Sequence, residues 1–200
     1  MGRKSKRAPD KGYSEALIVV ICGPGGVGKG AIAARLVDAI EGIHLSKSWT
    51  TRSKRVGESD EAYVFVTRAE FEDAIANGRF LEWAEFLGNL YGTPIPSAEF
   101  VDGDLLLEIE MQGAQSVRTA RPDSLLIGVA PPSLDELAAR MRRRGDDDAH
   151  IRRRIAIASD EMELARRICD QIVVNDDLDV AIAEISGIIS TRRAAGTASG

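Results

Sequence analysis

Residues 16–30 read Ala16-Leu17-Ile18-Val19-Val20-Ile21-Cys22-Gly23-Pro24-Gly25-Gly26-Val27-Gly28-Lys29-Gly30, and their reading decides the fold. Ala16–Cys22 is continuously apolar and rich in β-branched residues, which fits a strand buried on both faces of a parallel sheet. Beyond the glycines, Ile32, Leu36 and Ile40 recur every four residues up to Gly42, so a helix follows. A glycine-rich loop between a buried strand and a helix is suited to phosphate. Consecutive backbone N–H groups turn inward without Cβ interference, and the helix N-terminus adds a positive dipole. Lys29 is placed to reach the β- and γ-phosphates of a nucleotide. Gly23, Gly25, Gly26, Val27, Gly28, Lys29, Gly30 and Ala31 are therefore the candidate nucleotide contacts. The position after the lysine ordinarily offers Mg²⁺ a hydroxyl, whereas here Gly30 and Ala31 have none, so a water is expected in that ligand's place.

Working outward, Leu105–Ile109, Leu125–Val129 and Gln171–Val174 are further buried-strand candidates separated by helical patterns, so the chain reads as α/β with a parallel sheet. Two helix starts are marked by capping boxes, Thr67-x-x-Glu70 and Ser133-x-x-Glu136, and their ends by Asn77-Gly78 and Gly145. Residues 48–96 contain both tryptophans and several turn signals, and read as a lobe inserted into the parallel core. Residues 194–200 are small and polar and read as a flexible tail, as does the basic segment 1–14.

The 200 residues hold 26 Lys and Arg against 31 Asp and Glu, a net charge of −5, and are 44% hydrophobic. A collagen, a disulfide scaffold and a disordered chain are excluded. Five of the basic residues lie in residues 1–11, which carry a net charge of +4; the remaining 21 basic and 30 acidic residues leave an acidic body of −9. That argues against nucleic acid as a partner, and no apolar run is long enough to span a membrane. Basic residues before Ala16–Cys22 resemble the start of a leader, but that run continues into the glycine loop without a small-residue cleavage pattern. Two cysteines, Cys22 and Cys169, read as reduced, buried and cytoplasmic. Anionic ligands must be held by local clusters, Lys47–Arg55 and the seven arginines of Arg140–Arg154. His44 and His150 lack a partner pattern for a metal and read as surface or structural.

Ser48-Trp49-Thr50-Thr51-Arg52-Ser53-Lys54-Arg55-Val56-Gly57-Glu58 closely resembles the S-x-T-T-R-x-x-R-x-G-E segment of guanylate kinases. Tyr63–Val66, Phe80–Phe86, Gly88–Thr93, Met111–Ala114, Ala130–Ser133, Arg144-Gly145 and Val174–Leu178 follow in the family's order, over about residues 16–190. The resemblance implies a three-layer P-loop NTPase fold over 15–193, with a core (15–47 and 97–193), a GMP-binding lobe (48–96) and a lid (141–154). The implied activity is transfer of the γ-phosphoryl group of ATP to GMP, and to dGMP, in purine nucleotide metabolism.

On these residues, Ser48, Arg52, Arg55, Tyr63 and Tyr91 would bind the GMP phosphate. Glu82 would accept from guanine N1–H and N2–H₂, and Thr93 would donate to O6. Glu110 would help bind GMP, where the family commonly has Asp. Lys29, Arg55 and the lid arginines Arg140, Arg144 and Arg154 would stabilise the transferring phosphoryl group. Arg142, Arg143, Arg152 and Arg153 would only pair on helix surfaces. Asn175 and Asp176 would lie beside the adenine, and Glu108 would hold Mg²⁺ through water. Two other readings stay open at this point: a catalytically weakened GMP- and ATP-binding protein, and a relative acting on another small phosphorylated acceptor. The chain is expected to work as a monomer or homodimer.

Overall fold

The structure is a computed structural model that describes residues 16–60, 62–95 and 103–197. Residues 1–14 and 198–200 of the expected tails, and the expected boundary at 96/97, lie outside the described residues.

Five parallel strands form the main sheet: β1 (Ile18–Cys22), β2 (Ile43–Leu45), β7 (Asp104–Ile109), β8 (Leu125–Ala130) and β9 (Gln171–Val174), in the order β2-β7-β1-β8-β9. The apolar run at β1 is explained by its place at the centre, where all five of its residues are buried. Alternate residues feed two cores. Val19 and Ile21 pack with Ile32 and Leu36 of α1 (Lys29–Ala39), Leu137 and Met141 of α4 (Leu134–Arg143), and Ile182, Ile185 and Ile189 of α6 (Leu178–Thr197). Ile18, Val20 and Cys22 pack with Met111, Ala114 and Val117 of α3 (Met111–Ala120), and Met162 and Ala165 of α5 (Asp148–Ile168). Helices on both faces give the three layers expected of a parallel sheet.

A second sheet comprises β3 (Trp49–Thr50), β4 (Val64–Phe65), β5 (Phe80–Phe86) and β6 (Asn89–Pro94), in the order β4-β3-β6-β5. Leu87 and Gly88, both at positive φ, turn β5 back onto β6, the backbone demanded by a tight hairpin. α2 (Arg68–Ala76) lies against it, with Phe71 stacked on Phe80 at a centroid distance of 4.5 Å. Its Thr67 capping box closes in both directions, as expected.

Several expectations need correction. The first helix ends at Ala39, because Ile40 has already turned extended, and the short edge strand β2 was not expected from sequence. α6 continues to Thr197, past the expected boundary at 194, since Ala194 and Ala195 are strong helix formers. At the second capping box Ser133 caps as expected, but Glu136 is turned to Arg140 and Arg143. Both cysteines are free with sulfur atoms 3.5 Å apart, yet Cys169 is only half-buried. Among the described residues no helix is long and apolar enough to cross a membrane.

Candidate functional site

The strand order creates the site. β1 has β7 on one side and β8 on the other, and Cys22 stands level with Ile109 and Gly128. Such a switch point, at the carboxyl ends of parallel strands, opens a crevice. The glycine loop rises from it and α1 begins at Lys29, with Gly28 at φ 103° as its cap, a conformation that glycine adopts without strain. Asn175 braces the loop from behind, donating to the Val27 carbonyl at 2.8 Å.

Between the two sheets lies a cavity of about 650 Å³. Lys29, Arg52, Arg55, Arg144, Arg153 and Arg154 line it against the carboxylates Glu108 and Glu110, so an anion is its natural occupant. Arg52 is aimed by Glu58, which it meets at 2.7 Å, and packs over the Tyr63 ring at 5.4 Å. Burial and the nearby Arg144 and Arg52 charges push the Arg55 guanidinium down from its ordinary pKa. Burial, reinforced by Glu108 and Glu110, pushes the Tyr63 hydroxyl far above its ordinary range, so it stays a neutral donor.

A smaller pocket of about 30 Å³ adjoins it, lined by Ser48, Tyr63, Glu82, Tyr91, Glu110 and Gln112 among others. Glu82 and Thr93 face each other across β5 and β6, and the Thr93 hydroxyl and backbone N–H both donate to one Glu82 oxygen, at 2.6 and 3.1 Å. Burial raises the Glu82 carboxyl above its usual range despite those donors. Glu108 is raised by burial, with Lys29 opposing and Glu110 reinforcing the shift.

A sequence model described as guanylate kinase matches residues 15–192. A guanylate kinase of Prochlorococcus marinus is 44% identical over 179 residues, 87% of this chain and 97% of that protein. One from a Synechococcus species is 45% identical over 183 residues, 89% and 95% of the two chains. The crystal structure of guanylate kinase from Anaplasma phagocytophilum superposes with a TM-score of 0.73 at 32% identity, covering 89% of this chain and 86% of that one. The chain belongs to the guanylate kinase family.

Of the residues singled out from sequence, the large cavity gathers Gly25, Gly26, Gly28, Lys29, Gly30, Ala31, Arg52, Arg55, Tyr63, Tyr91, Glu108, Glu110, Arg144 and Arg154, and the smaller pocket adds Ser48 and Glu82. Gly23 and Val27 support the loop through their carbonyls, which accept from Lys29 and Asn175. Thr93 is fully buried behind Glu82, and acts on the pocket through it in this guanylate kinase fold. Arg140 is turned back to Glu136 at 3.0 Å, Arg144 is paired with Asp146, and Asp176 is exposed.

Arg153 and His150 correct the sequence reading, since both line the cavity instead of serving only the helix surface. Burial pushes the His150 imidazole down, with Arg154 and Arg55 adding to the shift against Asp146 and Asp147. Glu58 and Gln112 stood inside motifs that resemble the guanylate kinase family, and that was their only signal. Phe86, which the sequence did not single out either, stood at the end of such a motif, and its ring carries the Arg154 guanidinium at 4.7 Å.

Proposed function

We propose a division of labour for the reaction this guanylate kinase family enzyme catalyses, the transfer of the γ-phosphoryl group of ATP to GMP, giving ADP and GDP. The glycine loop and Lys29 hold the ATP phosphates, and Arg52, Arg55, Tyr63, Tyr91 and Ser48 hold the phosphate of GMP or dGMP. The observation that carries the reading is that both sets line one cavity, with Ser48 in the smaller pocket that adjoins it. Two anions brought together there relieve the repulsion among the arginines, and Arg144 and Arg154 stabilise charge on the transferring group. The GMP phosphate is already an anionic nucleophile, so no general base is required. Glu82, held in place by Thr93, accepts from the guanine N1–H and N2–H₂ edge. A base without those donors leaves it buried and unpaired. Asn175 serves the loop, and with Asp176 borders the adenine.

Mg²⁺ fits the donors present. Glu108 is a carboxylate in the cavity beside Gly30, and a cation that keeps its waters needs few protein ligands. Glu108 would hold it through water; when bound, the ion neutralises charge on the phosphates. We place the enzyme in the cytoplasm, as a monomer or homodimer acting on small nucleotides without nucleic acid or membrane. Steady-state kinetics of Glu82→Gln test the base assignment. The KM for GMP should rise roughly tenfold to a hundredfold while that for ATP stays near the parent value. An unchanged KM for GMP would remove Glu82 from the base site.

A further inference from the structure

Glu110 does more than line the smaller pocket. It stands at the N-cap of α3, just past the end of β7, where its backbone leaves the side chain level with the glycine loop. One carboxylate oxygen lies 3.2 Å from Lys29 Nζ and the other 3.1 Å from Arg154 Nη2. Lys29 also donates to the carbonyls of Gly23, at 2.8 Å, and Pro24, at 3.4 Å. An ammonium has three donors, so these contacts engage all of them. Arg154 lies directly on the loop: a Cβ added to Gly25 would fall 1.3 Å from its Nη2. Burial opposes ionisation of Glu110, but the Lys29 and Arg154 charges outweigh it and hold the carboxyl below its usual range.

We propose that Glu110 is a positioning residue that couples the two substrate sites, by holding Lys29 and Arg154 over the glycine loop as an internal counter-anion that the ATP phosphates exchange for. The proposal rests on the assignment of the loop to ATP phosphates made above. Glu110 also lines the pocket that holds Glu82 and Gln112, so the carboxylate released by ATP faces the guanylate side. Conversely, GMP that engages Glu110 frees the two cations for ATP. Each substrate then tightens the other by the same factor, since coupling between sites is reciprocal. The glutamate length matters: an aspartate keeps the charge but is one methylene shorter, too short to bridge both cations from the same backbone position.

The test is calorimetric titration of the magnesium complex of a non-hydrolysable β,γ-imido ATP analogue into the parent chain, Glu110→Asp and Glu110→Gln, with and without saturating GMP. Thermal unfolding of each variant checks that it is folded. In the parent, GMP should tighten analogue binding roughly tenfold, the scale of one charge-assisted hydrogen bond. In both variants the analogue alone should bind roughly tenfold tighter than in the parent, and GMP should add nothing. Glu110→Asp binding the analogue like the parent while Glu110→Gln binds tighter would reduce the effect to bulk charge and overturn the proposal. Coupling that persists in both variants would overturn it as well. A Lys29→Ala chain that binds the analogue as tightly as the parent would instead overturn the loop assignment beneath it.

Discussion

A Cβ added to Gly30 meets only Glu108 Oε2, at 3.8 Å, so a hydroxyl can be restored where the loop lacks one. Gly30→Ser should fold normally, gain roughly 0.5 kcal/mol from helix propensity, and lower the KM for MgATP several-fold, read by thermal unfolding and steady-state kinetics. Glu161 makes a different prediction. One of its oxygens is buried without a hydrogen-bond partner, and burial, reinforced by Glu110, raises its pKa to about 7 against the pull of Arg154 and Lys29. The folded chain therefore holds this proton more tightly than the unfolded one. The stability it contributes is present near pH 4.5 and is lost as pH rises through about 7. Glu161→Gln should be more stable than the parent at pH 8 by up to about 3 kcal/mol, and the difference should shrink to below about 1 kcal/mol near pH 5. Denaturant titrations at both pH values measure it; a constant difference would contradict the burial argument.

Individual elements were legible in proportion to how locally they are determined. The apolar run of β1, the glycine loop and the Thr67 capping box each carry their cause within a few residues, and each forms as expected. β2 escaped because two of its three residues are exposed, which erases any apolar pattern on so short an edge strand. The end of α6 was set too early because a small-residue composition reads as loop, although alanine favours helix. Contacts between distant elements had no local signal. Asn175, just past β9, satisfies the Val27 carbonyl inside the glycine loop, 148 positions earlier. Asn175→Ala should cost about 1–3 kcal/mol of stability, because a buried carbonyl loses its partner, and should weaken ATP binding while sparing GMP. Equal weakening of both substrates would instead mean general damage.

At the scale of the molecule, a doubly covered parallel sheet holds the glycine loop at the point where strand order diverges, and a small second sheet faces it across the cavity. Residues that sequence reading joined through resemblance, such as Arg52, Tyr91 and Lys29, meet there although they are far apart in the chain. The network around Glu110, and the placement of His150 and Arg153 on the cavity wall, depend on how the α4–α5 hairpin lies over the loop, which periodicity alone does not encode. The most direct measurement is ADP release from MgATP with GMP, dGMP, AMP, UMP or CMP as acceptor, with Lys29→Ala as the blank. The account predicts turnover with GMP and dGMP, at least roughly a hundredfold slower release with the other three because Glu82 is left unpaired, and loss of activity in Lys29→Ala. Comparable release with AMP, or a Lys29→Ala chain as active as the parent, would contradict it.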